Sequence, residues 1–262
     1  MAETLNFTTK EIEDLLVEGK RFGSRADGYA AASRAQADAA MGHDFGNAFA
    51  LINAAFSRFQ LVPFYSAPGD DESLRARLLL IHAFVSGVEI TRAALLGGYS
   101  SRAIAVVRHE FEIASRLRQI RTATAGPLPG RKGGGPRRVA HAAALGEEYA
   151  RVYGELSEYT HLSTIESVLD VAATAIELGD GELIILPTKV PAYRPEIIHR
   201  QILVHLKVCL AICDEMLAIL PTGTHPEHNE AVLRPTVIAM AMVRKLEADL
   251  LPDEGDASGH PG

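Results

Sequence analysis

The chain has 262 residues, 47% of them hydrophobic, a formal net charge of −7 and a pI near 5.8. That apolar content can build a substantial core, which excludes disorder of the whole, and the acidic balance argues against a dedicated nucleic-acid scaffold with a strongly basic domain. The two cysteines, Cys209 and Cys213, stand one helical turn apart and exclude a disulfide framework; they read as small core residues rather than a metal or redox pair.

Along the chain, MAETLNFTTKEIEDLLVEGK carries acids where a secretory signal needs a basic start and an unbroken apolar run, so the expected location is the cytoplasm. Thr8 or Thr9 can cap a first helix, with Glu11 to Glu13 at its positive end, and the pattern runs to about Ala40 with a weak point at Gly23. A second helix is expected over Asp44 to Leu61, ending before Pro63. The pair His43 and Asp44 reads as a helix cap, since the earlier histidine that a metal phosphohydrolase needs is missing. Residues 1–63 thus form N-terminal helices packed on a main bundle of residues 64–251.

Ser66 to Ser73 is a loop of turn formers, and Asp71 or Ser73 can cap the next helix. Two central helices are expected at roughly 73–96 and 101–122. Gly97 and Gly98 stop the first, and Ser100 caps the second. The longest apolar stretch, residues 78–96, is interrupted by His82, Glu89 and Arg92; it reads as a buried helix and not as a membrane span.

Ala125 to Arg138 is too rich in glycine and proline to fold regularly, and its core, residues 125–136, is a flexible loop. The glycine spacing is wrong for a phosphate loop, and Arg131, Lys132, Arg137 and Arg138 read as solvated charge. Helix resumes near Pro136 and runs through Tyr153 to His161. Gly179, Asp180 and Gly181 then separate two strand-like runs, a β-hairpin at about 172–188. A long helix from Pro195 to about Leu220 comes next, then one from Pro226 that Pro235 is expected to bend or break, and residues 252–262 form a disordered tail. The expected fold is mainly α, a helical bundle with a small inserted β-hairpin.

The 101–122 helix has a core stripe of Ile104, Val107, Phe111, Ala114 and Leu117, which predicts a central place in the bundle. Beside it stand Arg108 and Glu112 at i, i+4, an ion pair at an apolar border that needs further partners to offset its desolvation. Tyr153, Ser157 and His161 recur at four-residue spacing on one helix face and can supply them. The five residues read as one polar network that fixes helix register.

The pairing of GGYSSRAIAVVRHEFEIASRLR with the later YGELSEYTHLS resembles the bacterial DUF5677 family of helical proteins. That family shows Arg-x-x-x-Glu on one helix, then Tyr-x-x-Leu-Ser-x-x-x-His, a variable insertion and a last long helix. The matching positions are Arg108, Glu112, Tyr153, Leu156, Ser157 and His161, and the resemblance spans roughly residues 75–220. The family is similar to HEPN-type bundles, which include RNA-cleaving toxins, defence proteins and purely associating members. The resemblance implies a cytosolic HEPN-like interaction module or degenerate RNA-related module, linked to stress or phage defence. Its partner would be a protein or RNA, a homodimer would be compatible with it, and no cofactor is implied.

Two enzyme readings stand beside that one. An HEPN ribonuclease uses Arg to stabilise phosphate charge and His, a few positions later, to move the 2′-hydroxyl proton. Arg77 with His82, Arg102 with His109, Arg194 with His199 and Arg200 with His205 approach that pattern, several of them as chance alone would supply. Arg200 with His205 is the best catalytic candidate, because Gln201 is polar. A carboxylate-bridged metal site would use Glu158 with His161 and Glu196 with His199, completed by Glu89 and Glu112, although the order of these helices differs from that of ferritin-like bundles.

Overall fold

The computed structural model describes residues 8–62, 72–122, 145–147, 149, 151–154, 156, 174–178, 182–186, 193–220 and 226–250. It is mainly helical: α1 (Thr9–Gln60), α2 (Glu72–Leu96), α3 (Ser100–Arg121), a short helical stretch at 151–154, then α4 (Pro195–Leu217) and α5 (Pro226–Leu250). Between the stretch and α4, strands β1 (Thr174–Leu178) and β2 (Glu182–Leu186) pair antiparallel, with Thr174 opposite Leu186 and Leu178 opposite Glu182. The Gly179 to Gly181 turn, the 125–136 loop and the 252–262 tail lie outside the described residues.

The two expected N-terminal helices meet in a kink at Gly42, between the expected end near Ala40 and the expected start at Asp44. Gly23 interrupts nothing, because one glycine inside a long helix costs only about 1 kcal/mol. Gly42 has φ 62° and ψ −160°, outside the helical range, and only glycine adopts that conformation without steric cost. Past this kink, Phe45, Phe49, Ile52 and Phe56 enter the core. Asp44 does not act through a cap; its carboxylate accepts a hydrogen bond from Lys245 of α5.

The α2–α3 turn closes at the expected glycines. Tyr99 N–H donates to Ala94 O and Gly98 N–H to Leu95 O, with Gly98 at φ 73°; this pair of bonds with a left-handed glycine satisfies the last carbonyls of α2. The cap of α3 corrects the sequence reading. Tyr99, not Ser100, holds the N-cap position and makes no side-chain cap bond; Ser100 is already helical because the tight glycine turn uses one residue fewer.

Helices α3 and α4 form the centre. Ile104, Val107, Phe111, Ala114 and Leu117 are all buried on α3, as are Ile198, Ile202, Leu206, Ile212 and Met216 on α4. On the outside α5 packs along α1. Pro235 does not break α5, which stays a single helix from Pro226 to Leu250. A mid-helix proline costs roughly 3 kcal/mol, and the burial of Val232, Thr236, Ala239, Val243 and Leu246 on one face offsets it. Residues 78–96 are not buried as a whole: Phe84, Val88 and Leu95 face the core, while Leu79 and Ile90 are 59% and 68% exposed.

Candidate functional site: buried polar clusters

Three polar clusters converge on α3. The first is the one expected from the sequence. The Tyr153 hydroxyl donates to Glu112 Oε1 at 2.9 Å and accepts from Arg108 Nε at 3.4 Å. Arg108 Nε is 3.8 Å from Glu112 Oε1, and its guanidinium lies 5.5 Å from the centre of the Tyr153 ring. Tyr153 and Arg108 are buried, and Phe111 meets the tyrosine ring edge-on. The phenol therefore bridges an ion pair that water cannot fully reach. Burial raises the Tyr153 pKa above its ordinary value, the Arg108 hydrogen bond opposes that rise, and Glu112 adds to it. Ser157 and His161 lie outside the described residues.

The second cluster joins α2, α3 and α4 and is absent from the sequence reading. Glu110 is 3% exposed, His205 1% and Thr91 fully buried. Thr91 donates its hydroxyl to Glu110 Oε1 at 2.6 Å, and His205 Nδ1 is 2.6 Å from Glu110 Oε2. A carboxylate accepts, so Nδ1 carries the proton and Nε2 is left facing the Cys209 sulfur at 3.8 Å. The Phe49 ring stacks on the imidazole at 5.7 Å between centres, and the Arg92 guanidinium lies 4.7 Å from that ring's centre. Both ring nitrogens of His205 are thus engaged inside the core.

The third cluster surrounds Glu215 of α4, whose side chain has no exposure. It accepts from Arg118 Nε at 2.5 Å and Arg77 Nη2 at 3.4 Å, and Arg121 Nη2 lies 3.2 Å away. Neighbouring Asp214 takes Arg118 and Arg121 at 2.8 and 3.0 Å. Arg77 also donates to the backbone carbonyl of Glu215 at 3.2 Å. Two acids and three arginines from three helices close one knot of ion pairs.

These placements sort the sequence candidates. Arg200 and His205 share α4 but not an environment: Arg200 is exposed and lines a cavity of about 260 Å³ with Arg151 and Tyr149, while His205 points into the core. They do not make an open catalytic pair. Arg77 is committed to Glu215, and His82, Arg102 and His109 are exposed. His199 contacts the Tyr193 hydroxyl at 2.6 Å. Of the metal candidates, Glu158, His161 and the Glu196 side chain lie outside the described residues. Glu89 accepts from Asn53 at 2.6 Å and Arg92 at 3.4 Å, and Glu112 accepts from Tyr153. Among the described residues no three His, Cys, Asp or Glu side chains converge to hold a metal ion.

Cys209 and Cys213 are buried free thiols. Burial pushes the Cys213 pKa up to about 12, with the Thr236 hydrogen bond opposing and Asp214 adding to it; burial, then Glu110, also raises Cys209. In the unfolded chain both thiols titrate near their ordinary value of about 8.5. The folded state then keeps protons that the unfolded state releases, so this contribution is complete below about pH 8.5 and falls as pH rises towards 12. A thiol reagent at pH 8 should leave the native protein unmodified and titrate both cysteines after denaturation. Stability measured from pH 8 to 11 should fall less steeply in Cys213→Ala than in the unmodified chain.

No family model, curated protein or solved structure matches this chain. Its function is therefore read from the residues themselves.

Proposed function

We propose that the protein is a non-catalytic helical-bundle interaction module of the HEPN-like kind, a bundle with the β1–β2 ribbon as a hairpin inserted before α4. One observation carries this reading: the imidazole best placed in the sequence for ribonuclease chemistry, His205, is 1% exposed and engaged by Glu110 on one nitrogen and Cys209 on the other. A general base must reach the substrate proton, directly or through one water. His205 is held where neither can arrive. Tyr153 likewise spends its hydroxyl on Arg108 and Glu112, and three arginines that could meet phosphate are turned onto Asp214 and Glu215. Polar side chains on three core helices serve register and specificity, the best-attested use of buried charge.

In this reading the chain acts by association, with a protein or RNA partner in the cytoplasm, in the setting of stress or phage defence that the resemblance implies. The test is direct. Purified unmodified protein, incubated with structured and single-stranded RNA with and without added manganese, should leave the RNA intact and carry no stoichiometric metal. RNA cleavage that is abolished in Arg200→Ala, or one equivalent of bound iron, manganese or zinc, would replace this reading with one of the two enzyme readings.

A further inference from the structure

Helix α4 is central, yet one of its sides is open. Ile198, Ile202, Leu206 and Ile212 are packed into the core, whereas Arg200, Val204, Lys207, Ala211 and Asp214 are exposed or half-buried. Spaced every three or four residues, these five share one side of the helix. That side looks into a cleft whose other walls include Phe111 of α3, Tyr149, and Glu247 of α5. Two cavities lie along the cleft, of about 260 and 440 Å³, and Tyr149, Lys207 and Glu247 line both. Lys207 Nζ donates to Glu247 Oε1 at 2.5 Å, so an ion pair from α4 to α5 divides the cleft into two compartments.

The compartments differ in charge. The larger holds Arg118 and Asp214, already paired at 2.8 Å, and is close to balanced. The smaller has buried Phe111 and Leu203 as its floor, half-buried Val152 and Val204 beside them, and exposed Arg151 and Arg200 at its rim. With Lys207, its described lining carries three cations against one carboxylate, that of Glu247, which Lys207 already meets. Positive charge thus gathers over an apolar floor in a chain whose net charge is −7.

That combination selects a ligand chemistry. Guanidinium groups match the oxygens of a carboxylate or phosphate, and a mostly apolar cavity with a few convergent polar groups is the usual form of a small-molecule site. Phe111 and Tyr149 meet edge-to-face, 5.8 Å between ring centres. A flat ring extends such an aromatic wall and loses little internal freedom on binding. At about 260 Å³ the compartment is smaller than the roughly 300 Å³ at which drug-sized sites begin, which limits the occupant to one or two rings.

We propose that this compartment binds a small aromatic anion, one or two rings bearing a carboxylate or phosphate, with the ring over Phe111, Leu203 and Val204 and the anionic group at Arg151 and Arg200. Glu247 bounds the site and repels the anion. The proposal goes beyond the functional reading above and does not rest on it: a bundle that acts by association and one that cleaves RNA could both carry this site.

The experiment is isothermal titration calorimetry of the full chain with 2-naphthoate and 1-naphthyl phosphate. 2-Naphthalenemethanol supplies the ring without the charge, and inorganic phosphate the charge without the ring. At least one naphthyl anion should bind at one site per chain with Kd of roughly 1 mM or tighter, ordinary efficiency for a ligand of about thirteen heavy atoms. The alcohol and inorganic phosphate should each bind at least about 10-fold more weakly, and Arg151→Ala and Arg200→Ala should each weaken the anion by roughly 10-fold, the worth of one hydrogen bond to a charged group. Val204→Trp, which fills the floor, should abolish binding. Glu247→Gln, at a side chain 40% exposed, should strengthen binding several-fold by removing the competing carboxylate from Lys207, a gain that a purely structural role would not produce. Whichever anion binds more tightly names the head group. Absence of binding by both anions at 5 mM, equal binding of the alcohol, or unchanged affinity in both arginine variants with their melting temperatures intact would each overturn the proposal. So would displacement of the naphthyl anion by a 5′-phosphorylated single-stranded RNA at lower concentration, which would assign the cleft to nucleic acid.

Discussion

His205→Ala should lower the free energy of unfolding by roughly 3–5 kcal/mol, the range for leaving a buried carboxylate without its hydrogen-bonded partner. Two effects combine. Glu110, with its side chain 4% exposed, would keep the Thr91 hydroxyl but would have to be desolvated without the imidazole. The space left against Phe49 would be a cavity in a close-packed core, since large-to-small changes there lose contacts that neighbours only partly recover. Denaturant titration would show the loss as a lower midpoint with an unchanged slope. A catalytic histidine facing solvent would give the opposite pattern, an unchanged midpoint with lost activity.

Glu215→Ala should cost about 3 kcal/mol, the lower end of the range for breaking a buried pair. The carboxylate is fully buried and meets arginines from α2 and α3, but Arg118 and Arg121 keep 25% and 28% of their side-chain exposure and can turn to water once it is gone. Arg77, at 12%, cannot do so as readily, and its anchorage to α4 would rest on the Glu215 backbone carbonyl. Hydrogen exchange should therefore rise first in the first turns of α2, around Arg77. Glu215→Gln, which keeps an acceptor but loses the charge, should fall between the unmodified chain and Glu215→Ala.

Much of the helical layout is legible in the sequence, because period and punctuation are local. The α3 core stripe is a 3.6-residue pattern, and the stop at Gly97 and Gly98 is written in residues that tolerate a left-handed turn. Local rules fall short where packing outweighs propensity. Gly23 and Pro235 look like breaks, but one glycine costs too little to interrupt α1, and the buried face of α5 offsets the proline. Residues 78–96 look buried because they are apolar all round, and composition cannot tell which side of such a helix meets neighbours.

The polar clusters divide in the same way. Arg108, Glu112 and Tyr153 are legible as a group because a stripe at four-residue spacing and an i, i+4 pair are visible along the chain. Glu110 and Glu215 do not stand out at first reading, although Glu110 carries a signal. It comes three residues after Val107 and four before Ala114, which places a carboxylate on the core stripe itself. His205 stands likewise three after Ile202 and four before Cys209. A charged or imidazole side chain on a buried stripe must have a partner, so these two could have been paired across helices. Arginine-to-histidine spacing points instead to Arg200, which lies on a different face of the same helix from His205. The arginines around Glu215 carry no comparable signal, since Arg77 and Arg118 meet only through the fold.

Whether the buried polar groups hold the bundle together and perform no chemistry is decided most directly by a double-mutant cycle on Glu110 and His205 in denaturant unfolding. Glu110→Leu and His205→Leu should each destabilise by several kcal/mol, roughly 3–5, because each leaves its partner buried without a counterpart. The double variant should be less damaged than the sum of the two, since an apolar pair of similar volume replaces the whole interaction. Additive, near-zero effects on stability, together with loss of an RNA-cleaving or metal-dependent activity in either single variant, would contradict a purely structural role.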